Sequence, residues 1–375
     1  MVKTCFNLKM KISKNDFNRL IKSGWQSWSF KSKNYFKIPS LNFNPKGKHY
    51  SNLNTHILKS KSPAYGWCSW YAFGPDINEE KILSQAKWIF ENKKINTLPL
   101  EYILIDGGWS TWGDWLKEDP TKFPLGIKHL VSKIKNYGLK SGIWIAPFLV
   151  DQYSVIAKDH DDWLVKSNGE KVEGLNLTPI DKFMPYKKWI LDIKNPKVVK
   201  YLDDSIDHLI TNFGVKLIKF DFLYAIYFDP NITANEADNF LHSFLKKVRD
   251  KYPDVYTIAC GCPLIPAVGA VDSMRIGPDT SIAPFVKLIP FSFISNLYLK
   301  YIVIPTVLNR LWTKKYWNVD PDAFICNNAS GFSDKQLFRL QKTIKKGNGN
   351  IFLGDDLTTL TSNEISKYIN PLFIK

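Results

Sequence analysis

From about residue 64 onward, short apolar runs alternate with longer stretches whose apolar residues recur at helical spacing. The apolar runs fall at 65–70, 101–106, 140–146, 217–222, 256–260, 273–276, 323–326 and 350–353. They are nearly continuous instead of alternating, the pattern of strands buried on both faces of a parallel sheet. Between them the spacing predicts helices over 79–92, with Ile82, Ala86, Ile89 and Phe90 inward, and over 126–137, 196–213, 234–251 and 334–345, with a last one at 362–370. Eight strand candidates separated by helical crossovers predict an α/β fold, a (β/α)8 TIM barrel over 63–375, with insertions at about 150–190 and 280–320. A doubly wound open sheet is the competitor, and it would carry a glycine-rich phosphate turn after its first strand. Trp70-Tyr71-Ala72-Phe73-Gly74 is not such a turn. Residues 1–62 read differently: polar, rich in Lys, Asn and Ser, an N-terminal extension whose one concentrated element is Gly24-Trp25-Gln26-Ser27-Trp28-Ser29-Phe30.

Composition narrows the class. With 45% hydrophobic and 23% charged residues the chain buries a sizeable core, which excludes global disorder and a coiled coil. The formal charge of +16 would suit a polyanion, yet the basic residues are scattered as singles and as pairs such as Lys187-Lys188 and Lys246-Lys247. That distribution makes a solvated cationic surface, so no nucleic-acid partner is expected. Lysines interrupt the first residues before any apolar leader core forms, and the most lipid-like stretch, 288–308, is broken by Pro290, Lys300 and Pro305. No membrane partner is therefore expected. The five cysteines are odd in number and unpatterned, and Cys260-Gly-Cys262 lacks the spacing of redox or zinc motifs, so a reducing cytoplasm is the expected compartment.

In a barrel, functional side chains project from the C-terminal ends of the strands. Standing there are Trp70 and Tyr71, Asp106, Trp144, Lys219 and Asp221, Cys260, then Arg275 and Asp279. No serine–histidine pair and no His/Cys cluster with metal-ligand spacing stands among them, so neither metal nor cofactor is expected. Aspartates and tryptophans on one rim suit a sugar: the apolar face of a pyranose stacks on aromatic rings, and its hydroxyls need polar partners. Glycoside cleavage needs two carboxyl groups, one at the anomeric carbon and one at the leaving oxygen. Asp221 follows Lys219 by two, so strand alternation turns both to the lumen, where the ammonium keeps Asp221 ionised as a nucleophile. Asp279, on a loop beside Pro278, is placed to keep a raised pKa in a partly dry site. Taken singly, a strand-end aspartate is as well a helix cap or a loop ion pair, and a tryptophan is as well core; the joint pattern points to a glycosidase.

These motifs together resemble the catalytic barrel of glycoside hydrolase family 36, the retaining α-galactosidases of the melibiase family. Gly24-Trp25-Gln26-Ser27-Trp28-Ser29 is similar to the family's N-terminal Gly-Tyr-Gln-Ser-Trp-Ser loop, which brings an aromatic to the mouth of the site. Ser69-Trp70-Tyr71 resembles its first-strand aromatic pair, Ile105-Asp106 with Gly108-Trp109 its Asp-Asp-Gly-Trp motif, and Gly142-Ile143-Trp144 its third-strand segment. Gly113-Asp114-Trp115 with Lys122-Phe123-Pro124 resembles a further block. Lys219-Phe220-Asp221 takes the place of the nucleophile motif, Cys260-Gly261 that of the cysteine turn facing the sugar, and Arg275 and Asp279 keep the Arg-x-x-x-Asp spacing that ends on the acid/base. Asn318, Asp320, Pro321 and Asp322 resemble the block before the seventh strand.

The resemblance implies a retaining exo-α-glycosidase acting on terminal α-galactosides of oligosaccharides or glycoconjugates. Asp221 is then the nucleophile and Asp279 the acid/base; Trp70, Tyr71, Trp144 and Trp25 or Trp28 form sugar and aglycone walls, and Asp106, Lys219, Arg275 and Cys260 line the hydroxyls. Gly107 stands where the family has its second aspartate, which implies relaxed O4/O6 recognition and keeps an α-N-acetylgalactosaminidase, another α-glycosidase or a transglycosylase as alternatives, with a non-catalytic sugar-binding barrel behind them. The N-terminal β-sandwich and C-terminal β domain of the family have no counterpart of their usual size here, so a homo-oligomer or a separate chain supplying a β domain is left open.

Overall fold

The computed structural model describes residues 61–95, 98–174, 187–281, 292–327 and 330–374. The expected aromatic loop with Trp25 and Trp28, and the extension it belongs to, lie outside the described residues. Eight strands form one sheet: β1 (Tyr65–Cys68), β2 (Tyr102–Ile105), β3 (Lys140–Ile145), β4 (Leu217–Phe220), β5 (Tyr256–Ala259), β6 (Ser273–Arg275), β7 (Asn318–Asp320) and β8 (Ile351–Leu353). Their spatial order is β7-β6-β5-β4-β3-β2-β1-β8, with every pairing parallel. At the seam the Asn350 amide donates to Val319 O of β7 at 2.9 Å, and a parallel bridge links Phe324, four residues past β7, to Leu353 of β8. The sheet thus closes into a (β/α)8 barrel, as the run of buried strands predicts.

Alternation along each strand divides the core in two. Leu104, Leu217, Ile258 and Phe352 belong to one cluster, in which Tyr102 and Tyr256 approach to 6.2 Å between ring centroids. Those tyrosines come from β2 and β5, which are not neighbours, so this cluster fills the lumen. Ile103, Ile105, Ile218 and Phe220 face the other way, under the helices. By the same parity Lys219 and Asp221 look inward.

The crossover helices form for local reasons. The first, α1 (Glu79–Ile95), buries Ile82, Ala86 and Ile89. In α2 (Ile127–Asn136) the buried residues Ile127, Leu130 and Ile134 make one stripe. Pro196 opens α3 (Pro196–Asp207) behind an Asn195 cap, and α4 (Ala234–Lys251) starts on a capping box between Thr233 and Glu236. Within the expected insertion, Leu149–Asp151 pairs antiparallel with Lys188–Ile190. Among the described residues no helix is long and apolar enough to cross a membrane.

Three expectations are corrected. Phe90, expected inward beside Ile89, stands at the edge of the α1 stripe and is 55% exposed, its ring against Tyr137 at 5.7 Å. The first strand ends at Cys68, and Trp70–Phe73 form a single helical turn, because the Ser69 amide still reaches Leu104 O while the chain then folds over the rim. The seventh strand is Asn318–Asp320, not the apolar run 323–326. Pro321 and Asp322, the latter at φ 87°, break the extended chain, so within that run Phe324 makes an isolated bridge to the sheet while Ala323 and Ile325 pack into the lumen cluster. The true strand escapes an apolar search because Asn318 is polar, its side chain donating to Lys61 O and Tyr256 Oη, and Asp320 is a buried acid.

Candidate active site

The ends of β2, β3 and β4 build one side of the rim. Asp106, buried just past β2, accepts from Lys219 Nζ at 2.8 Å, from Cys68 Sγ at 3.3 Å and from the Gly107 amide at 2.8 Å, while Ser69 Oγ accepts from its own amide. Burial of Lys219 works against its charged form, but the charge of Asp106, with help from Asp221, outweighs it and pushes the ammonium well above the usual lysine range. The ammonium therefore pairs with Asp106, not with Asp221 as strand alternation alone predicts. Both side chains do face the lumen, but Asp106 on the neighbouring rim is within bonding reach of Lys219.

Asp221 is held by other donors. Its Oδ2 accepts from Trp144 Nε1 at 3.0 Å and its Oδ1 from the Phe222 amide at 2.7 Å. The second bond depends on Phe222 taking φ 52° and ψ 32°, a left-handed backbone that costs a bulky residue energy and turns its amide back onto the carboxylate. Trp144 is in turn fixed by Trp109, whose Nε1 donates to Trp144 O at 2.8 Å, and by the ring of Trp112 at 5.0 Å. Cys260, buried after β5, lies close enough for Asp221 to add to the effect of burial in pushing its thiol up.

Across the lumen stand the acids of β6 and β7. Arg275 Nη2 lies 3.0 Å from Asp279 and 2.8 Å from Asp322, and its buried Nε has no partner among the described residues. Tyr71 Oη donates to Asp322 and accepts from the Thr280 amide, which also reaches Asp322 at 2.6 Å. The Asp279 side chain is 61% exposed. Desolvation of its carboxyl nevertheless raises it to about 6, against Arg275 and Lys219 and with help from Asp322 and Asp221. Tyr298 Oη donates to the backbone carbonyl of Asp279 at 3.0 Å.

The fold thus brings Trp70, Tyr71, Asp106, Trp144, Lys219, Asp221, Cys260, Arg275 and Asp279 to one end of the barrel. Trp109 and Trp115 are fully buried core. Asp114 is also structural, accepting from the Val155 and Ile156 amides at a helix start. Sequence reasoning passed over three residues: Trp112, one position before a motif it did use; Tyr298; and Asp322, noticed in a block but given no role. Among the described residues no group of three or more His, Cys, Asp or Glu is arranged to hold a metal ion.

A parallel barrel whose C-terminal rim carries aspartates, a lysine, an arginine and stacked tryptophans defines a carbohydrate-active class of α/β barrel. Within that class a family model described as Melibiase matches residues 53–261, more than half of the sequence, and the chain belongs to the melibiase family. Alpha-galactosidase 1 of Pediococcus pentosaceus is 27% identical over 209 residues, which cover 51% of this chain and 26% of that protein. Probable alpha-galactosidase B of Talaromyces emersonii is 50% identical over 91 residues, 22% of this chain and 20% of that one. Among solved structures, TtGalA, an α-galactosidase from Thermus thermophilus in complex with p-nitrophenyl α-D-galactopyranoside, superposes with a TM-score of 0.67 at 25% identity, over 84% of this chain and 63% of that one. AgaA of Geobacillus stearothermophilus, at 17% identity and a TM-score of 0.58, shares the fold over 84% of this chain and 42% of its own. The chain therefore spans about a quarter or less of these curated relatives and under two thirds of the Thermus protein.

Proposed function

We propose that this chain is a retaining exo-α-galactosidase working by double displacement. The observation that carries the reading is a division of labour between two carboxyls on one rim. Asp221 is fixed at the end of β4 by two donors, Trp144 Nε1 and the Phe222 amide, whereas Asp279 on the facing side is raised to about 6 by desolvation. Asp221 attacks the anomeric carbon as Asp279 protonates the leaving oxygen; water then loses a proton to Asp279 as it releases the sugar from Asp221. Trp70, Tyr71 and Trp144 form the walls of the sugar site. Asp106, Lys219, Arg275 and Cys260 line its polar side, and Trp25 or Trp28, from an extension over 1–62, completes the aglycone side. Substrates are α-galactosides of the kind bound by related structures, which include complexes with stachyose and raffinose. The described cysteines are all free thiols, in keeping with a reducing, cytoplasmic setting.

Relaxed sugar recognition is favoured by one observation: the nearest neighbours of a Cβ at Gly107 would be the Trp70 and Trp144 rings, at 3.6–3.8 Å, and glycine itself offers no carboxylate there beside that of Asp106. An α-N-acetylgalactosaminide or another α-glycoside is thus the second reading.

The test is a pair of variants on an aryl α-galactoside. Asp221→Ala should abolish turnover, with azide restoring it as the β-galactosyl azide. Asp279→Ala should spare activated aryl substrates far more than oligosaccharides, and wild-type kcat/KM should fall as pH rises through about 6, where Asp279 loses its proton. A first product of β configuration by NMR would mean inversion and sink the mechanism.

A further inference from the structure

Asp279 and Asp322 bind the same nitrogen, Arg275 Nη2, at 3.0 and 2.8 Å, which puts the two carboxylates within about 6 Å of each other. They are not equivalent. Asp279 opens onto the cleft, while Asp322 is buried and one of its oxygens collects Tyr71 Oη, the Thr280 amide and Arg275. Asp322 is also where the chain turns at φ 87°, immediately after β7, a conformation that aims the carboxylate at Arg275 on β6 and Tyr71 on the rim of β1.

We propose that Asp322 is a positioning residue for the acid/base: by taking a share of Arg275, it prevents Arg275 and Asp279 from closing into an exclusive ion pair and leaves the Asp279 carboxyl able to carry a proton. This rests on reading Asp279 as the acid/base. A lone Arg–carboxylate contact of this length holds an acid ionised, which is the wrong state for protonating a leaving group. Splitting one guanidinium between two acids removes that difficulty without removing the arginine. Among the described residues, the other charged or titratable groups facing Asp279 are Lys219 and Asp221 from the β4 side, Tyr71 from β1 and Tyr298 from the helix after β6; buried Asp320 lies behind Asp322, accepting its amide at 2.9 Å. Of these, Asp322 alone both shares the nitrogen and carries a negative charge.

Asp322→Asn keeps an oxygen for the three donors, deletes the charge, and suits the positive φ, which asparagine tolerates. Arg275 should then pair with Asp279 alone. The carbon-13 carboxyl titration of Asp279, assigned by difference from Asp279→Asn, should move acidward by about one pH unit, the size expected for an unshared opposite charge. The basic limb of kcat/KM should move with it, costing about tenfold at pH 7 on an alkyl α-galactoside and much less on a dinitrophenyl one, which needs little acid help. Asp322→Gly, suited to the same backbone, serves if the asparagine variant does not fold. Tyr71→Phe loosens the contact but leaves the charge, so the Asp279 midpoint should stay in place. An unmoved midpoint in both Asp322 variants, or an equal acidward move in Tyr71→Phe, overturns the proposal. If the chain cleaves no α-glycoside, the functional reading fails while the carboxyl titration still decides the role of Asp322.

Discussion

Gly107 is one residue at which a single side chain tunes the proposed site. Its φ lies outside the left-handed region, and a Cβ there would meet two flat rings at ordinary contact distance, so a side chain can start from it without backbone strain. A carboxylate there would offer one or two charge-assisted hydrogen bonds, each contributing about 1.5–3 kcal/mol. Gly107→Asp should therefore raise the kcat/KM ratio of aryl α-galactoside over aryl α-glucoside by roughly ten- to a hundredfold. A wild-type ratio already above about 10⁴ and unmoved by the substitution would assign O4 recognition to other residues. Lys219 teaches the complementary lesson. Its parity on β4 and its place in the lumen follow from the order of residues, but its partner does not: Asp106 lies 113 residues earlier in the chain.

At the scale of elements, the barrel depends on close approaches that only glycine permits. A Cβ at Gly349, just before β8, would stand 2.0 Å from the Val319 carbonyl oxygen of β7, and the neighbouring Asn350 amide donates to that same oxygen. Relief would require the two strands that close the ring to part. Gly349→Ala should cost about 3 kcal/mol, the upper end of overpacking, and lower the urea midpoint accordingly. A midpoint within error of wild type would mean that β7 and β8 are not closely paired in solution. Most of these elements were legible beforehand: continuous apolar runs marked seven of the eight strands, and the capped, striped segments marked the main crossover helices. The exception, Asn318–Asp320, carries polar residues whose partners lie on other strands, so no local hydrophobic signal announced it.

For the molecule as a whole, pH dependence of stability reports on acids that folding buries. Asp355, after β8, is 1% exposed, and burial lifts it to about 6 even though the Cys326 and Asn327 amides donate to it. Its folded pKa is thus above the value of about 3.9 in an unfolded chain, so folding binds the proton more tightly. That contribution is complete below about pH 4 and is lost as pH rises through 6, an effect of order 3 kcal/mol. Urea unfolding between pH 4.5 and 7.5 should show wild type losing more stability than Asp355→Asn over the same interval; parallel curves would mean the carboxyl ionises without cost in the fold.

The sequence by itself determined the barrel and the set of residues on its rim, because strand burial, helical period and strand-end position are written in local order and composition. The tertiary structure decided how those residues are paired. Lys219 pairs with Asp106, Trp144 donates to Asp221, and Asp322 takes a share of the Arg275 that also meets Asp279, because these three contacts join residues brought together from different strands of a closed sheet. The electrostatics of the site follow from those distances and from burial, quantities that exist only once the chain has closed on itself.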